Sequence, residues 1–470
     1  MVNIFGLNFN LIEVFDISLL ILFSLFVWIF LKRTKKKNLT REGIIFMYRT
    51  QVGVKAINWF GEKFKKQLHS LKYAIISLGF VLMGVMTWML GQTLWLYISR
   101  PEITKVIKAP PIAPLIPYFP KIFGMSSIFP PFYFIYFIVA LAIVAFVHEF
   151  SHGIFMKLYG VKIKSTGLVF LGPILGAFVE QEDKSFEEKS KSNQMVILAA
   201  GVFANALFAF IFWLLYVGFF FSSFTASGYI FTSYGVTSIP LEDITGFEEV
   251  ENNFTKVMTL NGTYYIDEGL SVQRDMINLT QMIVYPEAPA VLARMKGAII
   301  MAENMKIRQH EDLTEFLQNK NPGDEVTFVT EIDDWVTEEY SLTLASHPDG
   351  SGRAYLGVGH NTPNPKGLVQ KFLYTFAKFK DPSTYYKPSW DGDFVWFIYH
   401  FLWWVMIINL LVALFNMLPL GMLDGGRFFY LAVWGIFGRE RAAKRLFKWM
   451  TKSIILIFVL MMVFWGIRVF

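Results

Sequence analysis

Long apolar stretches separated by polar connections fill most of this chain, and one extended polar insertion interrupts them. Six stretches approach the about 20 residues that a membrane-crossing helix needs. They lie near 11–31, 73–98, 132–157, 195–222, 394–418 and 453–469. Between the fourth and fifth the texture changes to short alternating strands and polar turns, most clearly over 286–365. The stretch GAIIMAENMKIRQHEDLTEFLQNKNPGDEVTFVTE predicts a strand, a turn and a helix near Glu311 to Asn319. A turn at Asn321-Pro322-Gly323-Asp324 and a strand over EVTFVTEI follow. Residues 226–285 show no recognisable pattern and are grouped with the same insertion. The expected fold class is a polytopic α-helical membrane protein of about six transmembrane helices with an inserted β-rich domain.

Composition agrees with the pattern. Of 470 residues, 54% are hydrophobic and 17% charged, against about 25% charged in ordinary soluble domains. The formal charge of +6 is unevenly spread. From Lys32 to Lys72 there are twelve Lys or Arg and two acids, Glu42 and Glu62, and a second basic run covers Gly438 to Lys452. The positive-inside rule places both in the cytoplasm. Six spans then put the N-terminus outside, 158–194 and 419–452 inside, and 224–392 outside. The first span is expected to be a signal-anchor rather than a cleaved leader. Three glycosylation triplets, at Asn253, Asn261 and Asn278, fall in the external insertion, and a fourth at Asn38 falls in the basic loop. Cysteine is absent, which excludes disulfides and thiolate-ligated metals.

Against this background FVHEFSHGIF, Phe146 to Phe155, is out of place. The sixteen residues before His148 carry no charge, and ionisable groups at membrane depth are costly unless paired. His148 and His152 stand at i and i+4, on one face of a helix, so both imidazoles can reach one metal ion. Glu149 is turned aside from them, as a general base is in the H-E-x-x-H arrangement. Two core histidines satisfied by neighbours are the alternative. Zinc requires a third protein ligand. His69 lies in the basic loop, His310, His347 and His360 in the insertion, and His400 near the outer end of the fifth span. FNMLPLGMLDGGRFF, Phe415 to Phe429, offers an acid instead. The third and fifth spans both run inward, and His148 sits about 24 Å along its helix, so Asp424 arrives at a matching depth. Pro419 is read as interrupting the helix, and Gly421, Gly425 and Gly426 as loosening the chain around Asp424. Asp424 could also cap the following helix, and the two roles are compatible.

HEFSH on one span and N-x-x-P-x-x-x-x-D-G on another resemble the site-2 protease family of intramembrane zinc metalloproteases. So do Gly201-x-x-x-Asn205 on the intervening span and LGPILGAFVEQED, which is similar to the family's re-entrant hairpin. The insertion resembles a PDZ domain, as in one branch of that family. The resemblance implies one Zn2+ per chain on His148, His152 and Asp424, with Glu149 as the catalytic base. It also implies oxyanion or substrate support from Asn205 and Asn416. For Asn205, a simple hydrogen bond between helices among small residues is an equal reading. The hairpin, with Gly172, Pro173, Gly176 and Phe178, would pair with an unwound substrate, its glycines and proline serving the turns.

The expected organisation is 1–131, two N-terminal spans with the basic loop; 132–223, the first part of the catalytic core; 224–392, the insertion; 393–437, the second part of the core; and 438–470, a basic segment and the last span. Expected partners are transmembrane-helix proteins already cut in their ectodomains and the lipid bilayer, with no nucleic acid. The cell membrane is the expected location. The PDZ-like insertion would filter or recognise substrate. A catalytically silent scaffold that binds through the insertion is the competing class. A zinc or proton transporter is disfavoured, because no internal repeat or second ligand set is found.

Overall fold

The computed structural model describes residues 2–469 except 5–6, 10, 35–37, 100–109, 111–114, 127–128, 232, 251–253, 268–279, 334–335, 361–364 and 366–367. Lys35 to Lys37 and the triplet residues Asn253, Asn278 and Leu279 therefore lie outside it. Asn261 is exposed in a turn. The chain forms two compact units, one of residues 1–219 with 396–470 and one of residues 220–395.

Among the described residues, six helices are long and apolar enough to cross a membrane. They are α1 (Leu11–Arg33), α3 (Lys72–Ser99), α4 (Phe134–Leu158), α5 (Lys191–Ser223), α7 (Gly392–Asn416) and α9 (Glu440–Val469), in a series whose other members are defined below. The most apolar window of α5 is 61% buried, against 11% for α1 and α9. Thus α5 is central, while α1 and α9 turn most of their apolar surface outward, where lipid would cover it. The last helix is longer than its hydropathy predicts. The basic run from Glu440 onward belongs to the same helix as the span, and its Glu440–Lys444 pair at i, i+4 supports that first turn.

One core joins the N-terminal halves of α3 and α5 and the C-terminal end of α4 to the end of α7 and to α8 (Asp424–Phe437), through Leu82, Phe155, Ala199, Met417 and Phe428. A second packs the start of α4 against α7, where Phe132 stacks on Trp404 at 3.9 Å and Trp404 Nε1 donates to Pro131 O at 2.9 Å. The first turn of α4 has its orphan N–H groups capped from another helix. Asp16 of α1 accepts from Phe134 N at 2.6 Å, Ile135 N at 3.0 Å and Tyr118 Oη at 2.6 Å. The first span thus anchors the helix that bears the HEFSH motif.

The basic loop is folded. It supplies β1 (Leu39–Glu42), β2 (Ile45–Thr50) and the amphipathic helix α2 (Val54–Lys63). These strands join the hairpin β3 (Ile163–Leu171) and β4 (Ile174–Gln181) in an antiparallel sheet of order β1-β2-β3-β4. Phe46 lies opposite Phe170, and Thr166 opposite Val179. The β3–β4 turn is Gly172-Pro173, with Gly172 at φ 58°. Gly176, expected at a turn, is inside β4 opposite Val169.

The second unit contains β5 (Phe224–Ile230), β6 (Ala298–Ala302), helix α6 (His310–Gln318), β7 (Glu325–Asp333), β8 (Val336–Thr343) and β9 (Thr384–Pro388). Its larger sheet runs β8-β7-β6-β5-β9, with Met305–Lys306 paired to β6. Leu313 and Phe316 of α6 bury against Phe328 and Ile299 of that sheet. Most of the patternless stretch is a separate five-stranded sheet built from residues 237–286 around Val257, Ile266 and Val284.

Candidate active site

Helix α4 carries His148, Glu149 and His152 within one turn. Both imidazoles are buried, and their Nε2 atoms lie 3.0 Å apart. Asp424 opens α8, the helix that follows the Met417–Leu423 bend, and an acid in a first turn is favoured by the helix dipole. Its Oδ2 lies 3.1 Å from His148 Nε2 and 3.3 Å from His152 Nε2. Gly425 and Gly426 do not loosen this segment. A Cβ on either would overlap the backbone of Met417 or Leu420, so the glycines let the bend fold tightly onto the helix start.

The three donor atoms form a nearly equilateral triangle. Ligands about 2.0 Å from a tetrahedral zinc ion lie about 3.3 Å apart, so edges of 3.0, 3.1 and 3.3 Å fit one face of such a site. The donor set, two imidazoles and one carboxylate, is also one that zinc takes in catalytic sites.

The imidazoles are held from behind by a single stripe of α5. Ile197, Gly201 and Asn205 are spaced by four and share one helix face. Ile197 O lies 2.6 Å from His152 Nδ1, so that nitrogen donates its proton to the carbonyl and leaves the Nε2 lone pair free. Asn205 is fully buried, and its amide lies 3.1 Å from His148 Nδ1. Its Oδ1 has no partner among the described residues. Turning the amide by half a revolution puts that oxygen against Nδ1, where it accepts the imidazole proton and sets the second tautomer. A Cβ at Gly201 would come within 2.5 Å of His152 Nε2 and 2.8 Å of His148 Nδ1. Only glycine lets the helix approach this closely.

Glu149 lies beside the His148–His152–Asp424 triangle and on the boundary between two cavities. Its Oε2 accepts from Val179 N at 2.9 Å. One cavity, about 350 Å³, is mostly apolar and lined by Ile57, Phe146, Phe150, Leu168, Ala177 and Phe178. The other, about 360 Å³, is polar and holds His152, Asp424, Lys164, Glu180, Gln181 and Asp183. Glu149 and Val179 line both. The bond to Glu149 shows that Val179 N–H points away from β3. By the alternation of an antiparallel ladder, Ala177 and Leu175 turn their N–H and C=O groups to the same edge. β4 is the last strand of its sheet, so no further strand pairs with that edge among the described residues.

Of the remaining expected residues, Phe178 lines the apolar cavity, and Gly172 and Pro173 form the hairpin turn away from the ligand set. Asn416 ends α7, and no hydrogen bond joins it to the histidines or Asp424 among the described residues.

A family model for Peptidase family M50 matches residues 136–462. The chain belongs to peptidase family M50. Members are membrane metallopeptidases of the site-2 protease type, and six apolar helices with a His-His-Asp group fit that membership. An uncharacterized protein of Methanocaldococcus jannaschii is 33% identical to this M50 chain over 199 residues, 40% of the chain and 48% of that protein. The chain thus aligns with about half of the relative's length. β1, β2 and α2 precede residue 136 and lie outside the family match. Sequence reading passed over these elements, although LTREGIIFMYRT carries a hairpin signal. A polar strand, LTRE, and a more apolar one, IFMYRT, flank Gly43, which takes φ 62° in the turn. Ile197 could not have been singled out, because it acts through its backbone carbonyl.

Proposed function

We propose that this protein is an intramembrane zinc metalloendopeptidase that hydrolyses a peptide bond within the transmembrane segment of membrane-protein substrates. The observation that carries the reading is the triangle of His148, His152 and Asp424 with Glu149 beside it, at the meeting of an apolar and a polar cavity. Zinc held by the three ligands would polarise the scissile carbonyl and acidify a water. Glu149 takes the proton of the attacking water and returns it to the leaving amide nitrogen. Val179 N–H fixes one carboxylate oxygen and leaves the other for that proton. Ile197 and Asn205 hold the imidazoles in the ligand tautomer.

The polar cavity supplies water, and the apolar one receives the substrate. A transmembrane helix shields its peptide bonds by its own hydrogen bonds, so a segment must unwind before it is cut. The outer edge of β4 offers replacement partners at Leu175 and Ala177, pairing the segment as an added strand. The charge bias assigns the site to the cytoplasmic side of the cell membrane and residues 224–392 to the outside. We read the strand–helix–strand order β6-α6-β7 as PDZ-like, a module that filters substrates or holds their freshly cut tails.

Metal analysis of the purified protein tests the centre. Wild type should carry one zinc per chain and Asp424→Ala almost none, as measured by plasma emission. Full zinc in Asp424→Ala would reject the ligand assignment. A zinc-loaded wild type that cuts no single-pass substrate would favour a silent scaffold.

A further inference from the structure

The apolar cavity beside Glu149 is roofed by residues that lie outside the family match. Its far wall is Thr50, Val52, Gly53 and Ile57, from the end of β2 and the start of α2. Several contacts fix this wall in place. Thr166 Oγ1 donates to Val52 O at 2.6 Å, and Gln51 Nε2 donates to Lys164 O at 2.9 Å, tying the connection to β3. α2 is docked on α4 next to the ligand histidines. A Cβ on Gly153, the residue after His152, would lie 2.7 Å from Ile57 Cδ1. One turn further, Gly61 lies against Lys157, and Lys157 Nζ pairs with Glu62 at 3.0 Å. Phe60 meets the edge of Phe150 at 5.6 Å.

We infer that Val52 and Ile57 determine specificity, by bounding the cavity that receives the apolar side chain of the substrate residue next to the scissile bond. The occupant is fixed by continuity with the reaction site. An extended segment paired to Leu175 and Ala177 runs past Glu149, and the cavity is lined on that same strand by Ala177, Phe178 and Val179. With about 350 Å³ the cavity admits a bulky aliphatic or aromatic side chain. A charged side chain there would lose its hydration among Ile57, Phe146 and Phe150, and the carboxylate that lines the cavity, Glu149, is committed to the reaction. The N-terminal addition thereby gives this chain a substrate preference separate from the shared chemistry of the ligand set. This inference rests on the protease reading.

The test is a panel of single-pass substrates with Ala, Leu, Phe or Lys at each position flanking the cut, offered to purified full-length protein in detergent. Wild type should cut the Leu and Phe members and reject Lys. Ile57→Trp fills the cavity and should shift the Ala-to-Phe ratio of kcat/KM by about tenfold or more; zinc is measured in the same samples, because Ile57 packs against Gly153 beside His152. Val52→Trp, at a residue 79% exposed and so tolerant of replacement, should shift the ratio in the same direction. An unchanged ranking in both variants, or an equal loss across the panel, would overturn the inference while leaving the protease reading intact. A wild type that cuts no panel member would overturn both.

Discussion

The proposed metal centre and the apolar cleft meet at Glu149, yet they are built in opposite ways. Two proposed ligands and the proposed base come from one turn of α4, and a single stripe of α5 supports both histidines. Only Asp424 arrives from far along the chain. The cleft is assembled from β2, α2, α4 and the β3–β4 hairpin, held together by strand pairing and side-chain packing. The centre is closely held because each imidazole Nδ1 has a fixed partner and Gly201 leaves no spare room. The cleft's roof, from β2 and α2, carries none of the centre's donor atoms, so its side chains can change without disturbing the chemistry. Changes at the centre should therefore affect all substrates alike, and changes in the cleft should re-rank them.

The largest expected effect is at Gly201. Gly201→Val drives a branched side chain into both imidazoles and should abolish zinc binding and cleavage of every substrate. The loss should exceed the about 100-fold typical of losing one supporting hydrogen bond. A zinc-replete Gly201→Val protein, checked by metal analysis and far-UV circular dichroism, would break the account of α5. Asn205 comes next. Asn205→Ala should weaken zinc about 10–100-fold in chelator competition. Asn205→Asp, which still accepts a proton from His148, should retain most of the zinc and activity. An Asn205→Asp protein that keeps zinc but cannot cleave would show that the amide acts on substrate instead.

The smallest effect lies at the sheet joining the two regions. Glu180 of β4 accepts from Ser165 Oγ at 2.7 Å and pairs with Arg49 Nε of β2 at 3.1 Å. The Ser165 hydroxyl, with the Arg49 guanidinium, holds its carboxyl below the usual range. A depressed folded-state pKa stabilises above the ordinary carboxylate pKa, and that contribution is lost as pH falls through the folded value. Arg49→Ala should therefore lower Tm slightly at pH 7, by about 1 °C for so exposed a pair, and less at pH 4. An equal loss at both pH values would remove the ion pair from the account.

The same contrast explains what could be read before the fold was known. The i, i+4 histidines are local, so helix geometry alone brought them together. Asp424 became legible because both helices run the same way through equal thicknesses of apolar sequence. The cleft depends on β2 pairing with β3 across more than a hundred residues, and no local periodicity encodes that register. Gly425 and Gly426 were read as loosening agents because glycine frees a chain in isolation. Here they remove a Cβ where two backbones touch. The basic run before the last span was read as separate from the helix because hydropathy registers charge and overlooks helix continuity.

The central claim is that Glu149 is the base of a peptidase at the His148–His152–Asp424 centre. Its most direct test is cleavage of a single-pass membrane substrate by purified wild type and Glu149→Gln, with zinc measured in the same samples. The account predicts equal zinc in both proteins, product from wild type alone, and intact substrate with Glu149→Gln. Persistent cleavage by zinc-loaded Glu149→Gln would contradict it.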